Sequence, residues 1–188
     1  MRTFNRTFCL FVAVIISAWT FTSALKIISR AEWGARHPLA TRPLRTPASH
    51  VFIHHSDGPT SSDVKSGSEI VRSIQDCHMD ERGWSDIGYH FLIGGDGSIF
   101  EGRDWSNIGA HVANHNRKGH GIVFLGNFME VAPTEAALTA AKDLINYAVK
   151  ERHLRPNYFL KGHRQMGFTD CPGDRLYKII RSWPNFRP

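Results

Sequence analysis

The sequence predicts a single α/β domain, a central mixed β-sheet with helices packed on it, and three observations carry that expectation. Val51-Phe52-Ile53 and Gly121-Ile122-Val123-Phe124-Leu125-Gly126 are short, continuous apolar runs, the pattern of strands buried on both faces. Ala137, Leu138, Ala141, Leu144, Ile145, Ala148 and Val149 fall on one stripe at helical spacing, so that segment is a helix with a face to bury. The order of elements, strand, helix, hairpin, strand, helix, strand, helix, suits a mixed sheet covered by helices. With 188 residues, 41% of them apolar, the chain is long enough for one core and too short for two ordinary domains.

At the N-terminus, Arg2 and Arg6 precede an apolar run from Phe8 to Phe21 and then Thr22-Ser23-Ala24. This reads as a secretory signal, residues 1–24, cleaved after Ala24. A membrane anchor is the rival reading, but the run is shorter than the roughly 20 residues a spanning helix needs. The domain then occupies residues 25–188 in an extracellular protein. Without Arg2 and Arg6 the formal net charge falls from +6 to +4. Such a charge favours anionic surfaces such as bacterial walls, and no concentrated basic stripe points to nucleic acid. The sequon Asn5-Arg6-Thr7 leaves with the signal, and of three cysteines Cys77 and Cys171 remain.

Leu25 to Ser49 reads as an extended arm whose Trp33 can pack an apolar edge. His50 to Ser56 is a strand; because neighbouring side chains on a strand face opposite ways, at most one of His54 and His55 enters any given pocket. Asp57 to Ser66 reads as a loop. The following helix places Ile70, Val71, Ile74, Cys77 and His78 on its apolar face and Arg72, Gln75 and Asp76 off it. Tyr89 to Ile93 and Ser98 to Arg103 form a hairpin around Gly94-Gly95-Asp96-Gly97, whose glycines accept turn geometry. Asp104 to Gly119 is a long loop placed to wall a cleft. Thr134 caps a helix from about Glu135 to Arg152, Tyr158 to Gly162 is a strand, and Asp174 to Trp183 is a last helix.

Chemistry concentrates in the stretch Lys161 to Gly173, which sets His163 and Cys171 eight residues apart on a loop. If a histidine from the His54-His55 pair joins them, two imidazoles and a thiolate make three ligands of the kinds zinc prefers, with a fourth position open. A zinc ion there would bring the pKa of its water to about 7 and polarise a carbonyl. Eleven histidines make chance pairs common, so the residues alone leave other readings open. In an oxidising compartment Cys77 and Cys171 would pair as a disulfide, although Cys77 sits among the apolar residues of its helix. A copper site with Met166 nearby is a second alternative. Cys171 as a nucleophile with His163 as base is a third.

Further strings stand in order between about Ile27 and Trp183: Ile53-His54-His55-Ser56, the run from Asp86 through Tyr89 to Gly97, Glu101-Gly102-Arg103, Gly109-Ala110-His111, and Gly162-His163-Arg164-Gln165 followed by Cys171-Pro172-Gly173. Together they resemble the peptidoglycan recognition proteins, a family related to the zinc amidase of phage T7 called its lysozyme. The resemblance implies a zinc-dependent N-acetylmuramoyl-L-alanine amidase with its metal in a surface groove, acting on bacterial peptidoglycan and its muropeptides in innate immunity. It puts the zinc ligands at His54, His163 and Cys171, and so decides between His54 and His55. Members that only bind peptidoglycan commonly lack the cysteine. Tyr89 matches the family's active-site tyrosine, placed to stabilise an oxyanion, and Thr169 matches a threonine that helps position water or substrate. Gly83, Trp84, Arg103 and His111 are implied as substrate-binding residues. An arginine fork at Arg103 would suit the extra carboxylate of a diaminopimelic acid (DAP) stem peptide. A monomer is expected. Ser61 and Gly67 stand where many members carry a disulfide, which puts the rigidity of the Asp57 to Ser66 loop in question.

Overall fold

The structure is a computed structural model that describes residues 25–188; the expected signal segment, residues 1–24, lies outside the described residues. Six strands form one sheet. They are β1 (Ile27–Ile28), β2 (Ala48–His55), β3 (Phe91–Ile93), β4 (Ile99–Glu101), β5 (Gly119–Phe124) and β6 (Leu154–Gly162). Their spatial order is β1-β4-β3-β5-β2-β6, and only the hairpin pair β3–β4 is antiparallel. The described residues also form four α-helices: α1 (Arg30–Trp33), α2 (Val64–Asp76), α3 (Glu135–Lys150) and α4 (Asp174–Ile180). The expected mixed sheet with packed helices is therefore what the chain forms. No helix among the described residues is long and apolar enough to cross a membrane.

The two faces of the sheet bury different partners because strand side chains alternate. Val51, Ile53, Ile122, Phe124 and Leu160 pack with the α3 stripe and with Leu176 and Ile180 of α4. Leu92, Phe100 and Val123 pack with Trp33 and Val71 on the other face. The stripe of α3 is fully buried at Ala141 and Leu144, and Thr134 caps it by accepting the Ala137 N–H at 3.1 Å. Truncating Leu144 to alanine would cost about 2–5 kcal/mol.

Two sequence expectations need correction. The arm contains β1 and α1, because Ser29 and Glu32 form a reciprocal cap and Trp33 is fully buried, its indole N–H donating to the Glu101 carbonyl at 2.8 Å. The α2 face is also rotated from the one predicted. Gln75 is buried rather than off the face, since its amide serves Arg36 and Asp86. Cys77 is half-exposed and not in the core. A wider π-turn, Cys77–Glu81, follows α2 and turns the thiol toward Glu81 at 3.6 Å. Cys77 and Cys171 are both free, so the disulfide alternative falls away.

The absent staple is replaced by packing. A Cβ on Gly67 would lie 3.4 Å from Ser61 Oγ and would run into the Phe100 ring, so Phe100 takes the room of a bridge. Ser61 Oγ accepts the Gly95 N–H at 3.2 Å, and Asp63 with Ser66 caps α2. The loop before α2 is thus held at both ends by hydrogen bonds.

Candidate metal centre and substrate groove

Parallel register brings the three expected ligands together. Ile53 pairs with Gly162, so the next residues, His54 and His163, lie side by side at the carboxyl ends of β2 and β6 with ring centroids 4.7 Å apart. Such strand ends are where open α/β sheets place ligands. Cys171 returns to the same point. Its Sγ lies 3.7 Å from His54 Nδ1 and accepts the His55 N–H at 3.4 Å. The ligand atoms of His54, His163 and Cys171 all fall within 4.8 Å of one another. That spacing suits one small cation taking nitrogen at about 2.0–2.1 Å and sulfur at about 2.3 Å. His55 points away, its Nδ1 accepting the Phe128 N–H at 3.3 Å, as strand alternation required.

The electrostatics favour a neutral donor set. Burial, reinforced by the neighbouring His163, holds His54 well below the usual imidazole value, and burial lowers His163 too. Both rings are therefore unprotonated at neutral pH and can donate lone pairs. Burial pushes the Cys171 thiol up to about 12, against the opposing pull of the His55 N–H and Arg164. A thiol so placed would lose its proton to solvent readily only with a cation bound to the sulfur, whose charge would stabilise the thiolate and reverse the local balance. Burial also raises the Tyr89 hydroxyl, keeping it a hydrogen-bond donor; its ring stands 5.3 Å from that of His54.

A cavity of about 630 Å³ borders this cluster at His163 and Tyr89 and is walled further by His111 and Trp84. It continues, through the shared residues Trp84, Ala110 and Asn116, into a second cavity lined by Gly83 and Arg103. The 104–119 loop does form a wall, as its composition suggested. Thr169 lines neither cavity; its hydroxyl accepts the Cys171 N–H at 3.2 Å, so it braces the thiol-bearing loop. Arg103 is more constrained than expected. Its guanidinium donates to the carbonyls of Ile87, Ile108 and Asp86 at 2.6, 2.8 and 3.1 Å, so three of its five donors are spent on backbone.

A family model described as N-acetylmuramoyl-L-alanine amidase matches residues 44–174. Peptidoglycan-recognition protein SC2 of Drosophila simulans is 44% identical over 161 residues, which cover 86% of this chain and 88% of that protein. The chain belongs to the peptidoglycan-recognition proteins of this amidase family. The N-acetylmuramoyl-L-alanine amidase of Homo sapiens is 42% identical over 171 residues, 88% of this chain and 30% of that protein. Among solved structures, peptidoglycan recognition protein LE in complex with tracheal cytotoxin, a monomeric DAP-type peptidoglycan, matches with a TM-score of 0.85 at 40% identity. That match covers 86% of this chain and 95% of the other.

In this member of the peptidoglycan-recognition proteins, several supporting residues escape sequence reasoning. Arg164 fastens the loop between the two late ligands. Its N–H donates to the Cys171 carbonyl at 2.8 Å, and its side chain reaches the Asp170 carbonyl and the Asp174 carboxylate. Asp86 organises the other end. Its buried carboxylate accepts from Arg30, Gln75 and the Ile87 N–H at 3.0, 2.7 and 2.8 Å. Asn116 Oδ1 accepts the N–H groups of His111 and Val112 at 2.8 Å each. Arg164 and Asp86 stood within the motif strings with no role assigned to them, and Asn116 was only one polar residue of the 104–119 loop.

Proposed function

We propose that the protein is a secreted zinc-dependent N-acetylmuramoyl-L-alanine amidase that binds bacterial peptidoglycan and cleaves the amide between the lactyl group of muramic acid and the stem peptide. The convergence of His54, His163 and Cys171 at one groove carries this reading. When bound, zinc supplies an acidified water and a Lewis acid for the amide carbonyl. His54 and His163 offer neutral nitrogens, and Cys171 a sulfur that is costly to ionise without a cation. Tyr89 keeps its proton and donates to the oxyanion that develops on the scissile carbonyl, while Thr169 holds the Cys171 backbone in place. Secretion rests on the character of residues 1–24.

Preference for DAP-type stems is part of the proposal. It is supported by Gly83, Trp84 and Arg103 lining the far cavity and by the DAP-type ligand named for the LE protein. Arg103 retains two donors for a carboxylate, one fewer than its spent three. Capture without cleavage is the competing reading, favoured by relatives whose names record recognition rather than hydrolysis. Metal analysis combined with muropeptide digestion separates the two. The expected result is about one zinc per chain and release of stem peptide from DAP-type muropeptide; a zinc-loaded protein that releases none is a receptor.

A further inference from the structure

The proposed zinc site leaves His54 a second ring nitrogen to satisfy. Its Nδ1 faces Cys171 Sγ, and its Nε2 lies 3.2 Å from Nδ1 of His111. The two rings stand nearly perpendicular, 85° apart, with centroids 5.1 Å from each other, and both are buried, 1% and 7% exposed. His111 has little freedom to leave. Phe52 packs on its ring at 5.6 Å, Asn116 holds its backbone, and the ring fills the space beside Gly121, where a Cβ would approach it to 2.5 Å.

From this geometry we infer that His111 is a positioning residue for His54, fixing both the angle of the ligand ring and the nitrogen that carries its proton. A metal on His54 Nδ1 requires the proton on Nε2. That N–H then has His111 Nδ1 as its acceptor, which in turn puts the His111 proton on its own Nε2. Ligating histidines ordinarily give their other N–H to a carboxylate, a backbone carbonyl or water; here a second imidazole does the work. The sequence expectation made His111 a substrate contact. Its edge does reach the groove, but its Nδ1 is engaged with the ligand behind it.

The inference rests on the zinc reading, and its test keeps the two apart. Zinc affinity is measured on the full chain by competition with a chromophoric chelator, for wild type, His111→Phe and His111→Asn. Phenylalanine keeps the bulk and removes the acceptor, whereas asparagine places an amide oxygen where Nδ1 stood. His111→Phe is expected to weaken zinc binding by about 10–100-fold. His111→Asn should recover most of that loss. Equal zinc affinity of His111→Phe and wild type, or no recovery with asparagine, overturns the inference. A wild type that binds no zinc overturns the zinc reading itself. Nitrogen-15 NMR of zinc-loaded wild type needs no variant: a proton on Nε2 of both His54 and His111 is expected, and a proton on His111 Nδ1 overturns the assignment.

Discussion

At one end of the groove three donor atoms lie within 4.8 Å with their bonding capacity turned toward one another, while at the other the Arg103 guanidinium is largely spent on the carbonyls of Asp86, Ile87 and Ile108. The metal end stores chemistry that the fold does not need. The far end is structural first, and offers a substrate only what remains. Damage at the metal end should therefore appear in function with little loss of stability, whereas damage at the far end should appear in both.

The largest effect is expected for Cys171→Ser. It should lose zinc by at least about 100-fold, beyond what loss of a supporting residue costs, and lose cleavage with it. Metal-free stability should stay within about 1 kcal/mol. Zinc titration and urea denaturation of the same preparations check both halves, and unchanged turnover would remove Cys171 from the chemistry. Next, Tyr89→Phe should reduce kcat by about 100- to 1000-fold with KM little changed, the signature of a lost oxyanion donor.

Arg103→Ala strands three carbonyls, so it should cost roughly 2–4 kcal/mol in urea denaturation and also narrow any preference for DAP-type over lysine-type muropeptide. If only the preference changed, the contrast between the two ends would fail. Acid tests what lies behind the metal end. His120, whose Nε2–H donates to the Trp105 carbonyl at 3.0 Å, is lowered by burial to about 4. The unfolded chain binds that proton near pH 6.5, so the stability this one group contributes should be lost as pH drops from there toward 4, up to about 3 kcal/mol from His120 alone. Urea midpoints at pH 7 and pH 4.5 measure the loss, which His120→Gln should lessen. Smallest of all, Cys77→Ser should stay within about 0.5 kcal/mol of wild type.

The same contrast governs what could be read from the sequence. The central strands were legible as short continuous apolar runs, and α3 because its apolar residues obey a single helical period. The proposed ligands were legible because His54, His163 and Cys171 end strands or begin loops, where such a side chain is conspicuous. Gln75 and Asp86 were not, because polar residues facing inward break the periodicity that would reveal them, and only the folded chain brings Arg30 and Arg103 to them. The bond from His54 to His111 joins residues 57 apart and follows from packing between a strand and a loop, which no local pattern records. The regular parts of β3 and β4 are shorter than the alternation suggested, although the Gly102 and Arg103 N–H groups still donate to the His90 and Tyr89 carbonyls at 2.8 and 3.0 Å.

The Ser61, Gly67 and Phe100 arrangement has a bearing on Cys171. With aromatic packing in place of a bridge, the described chain contains no disulfide and only one other thiol, Cys77. Oxidative folding would have no set of competing pairings to sort through, and the sulfur proposed to hold the metal would have no bridge beside it to be exchanged into.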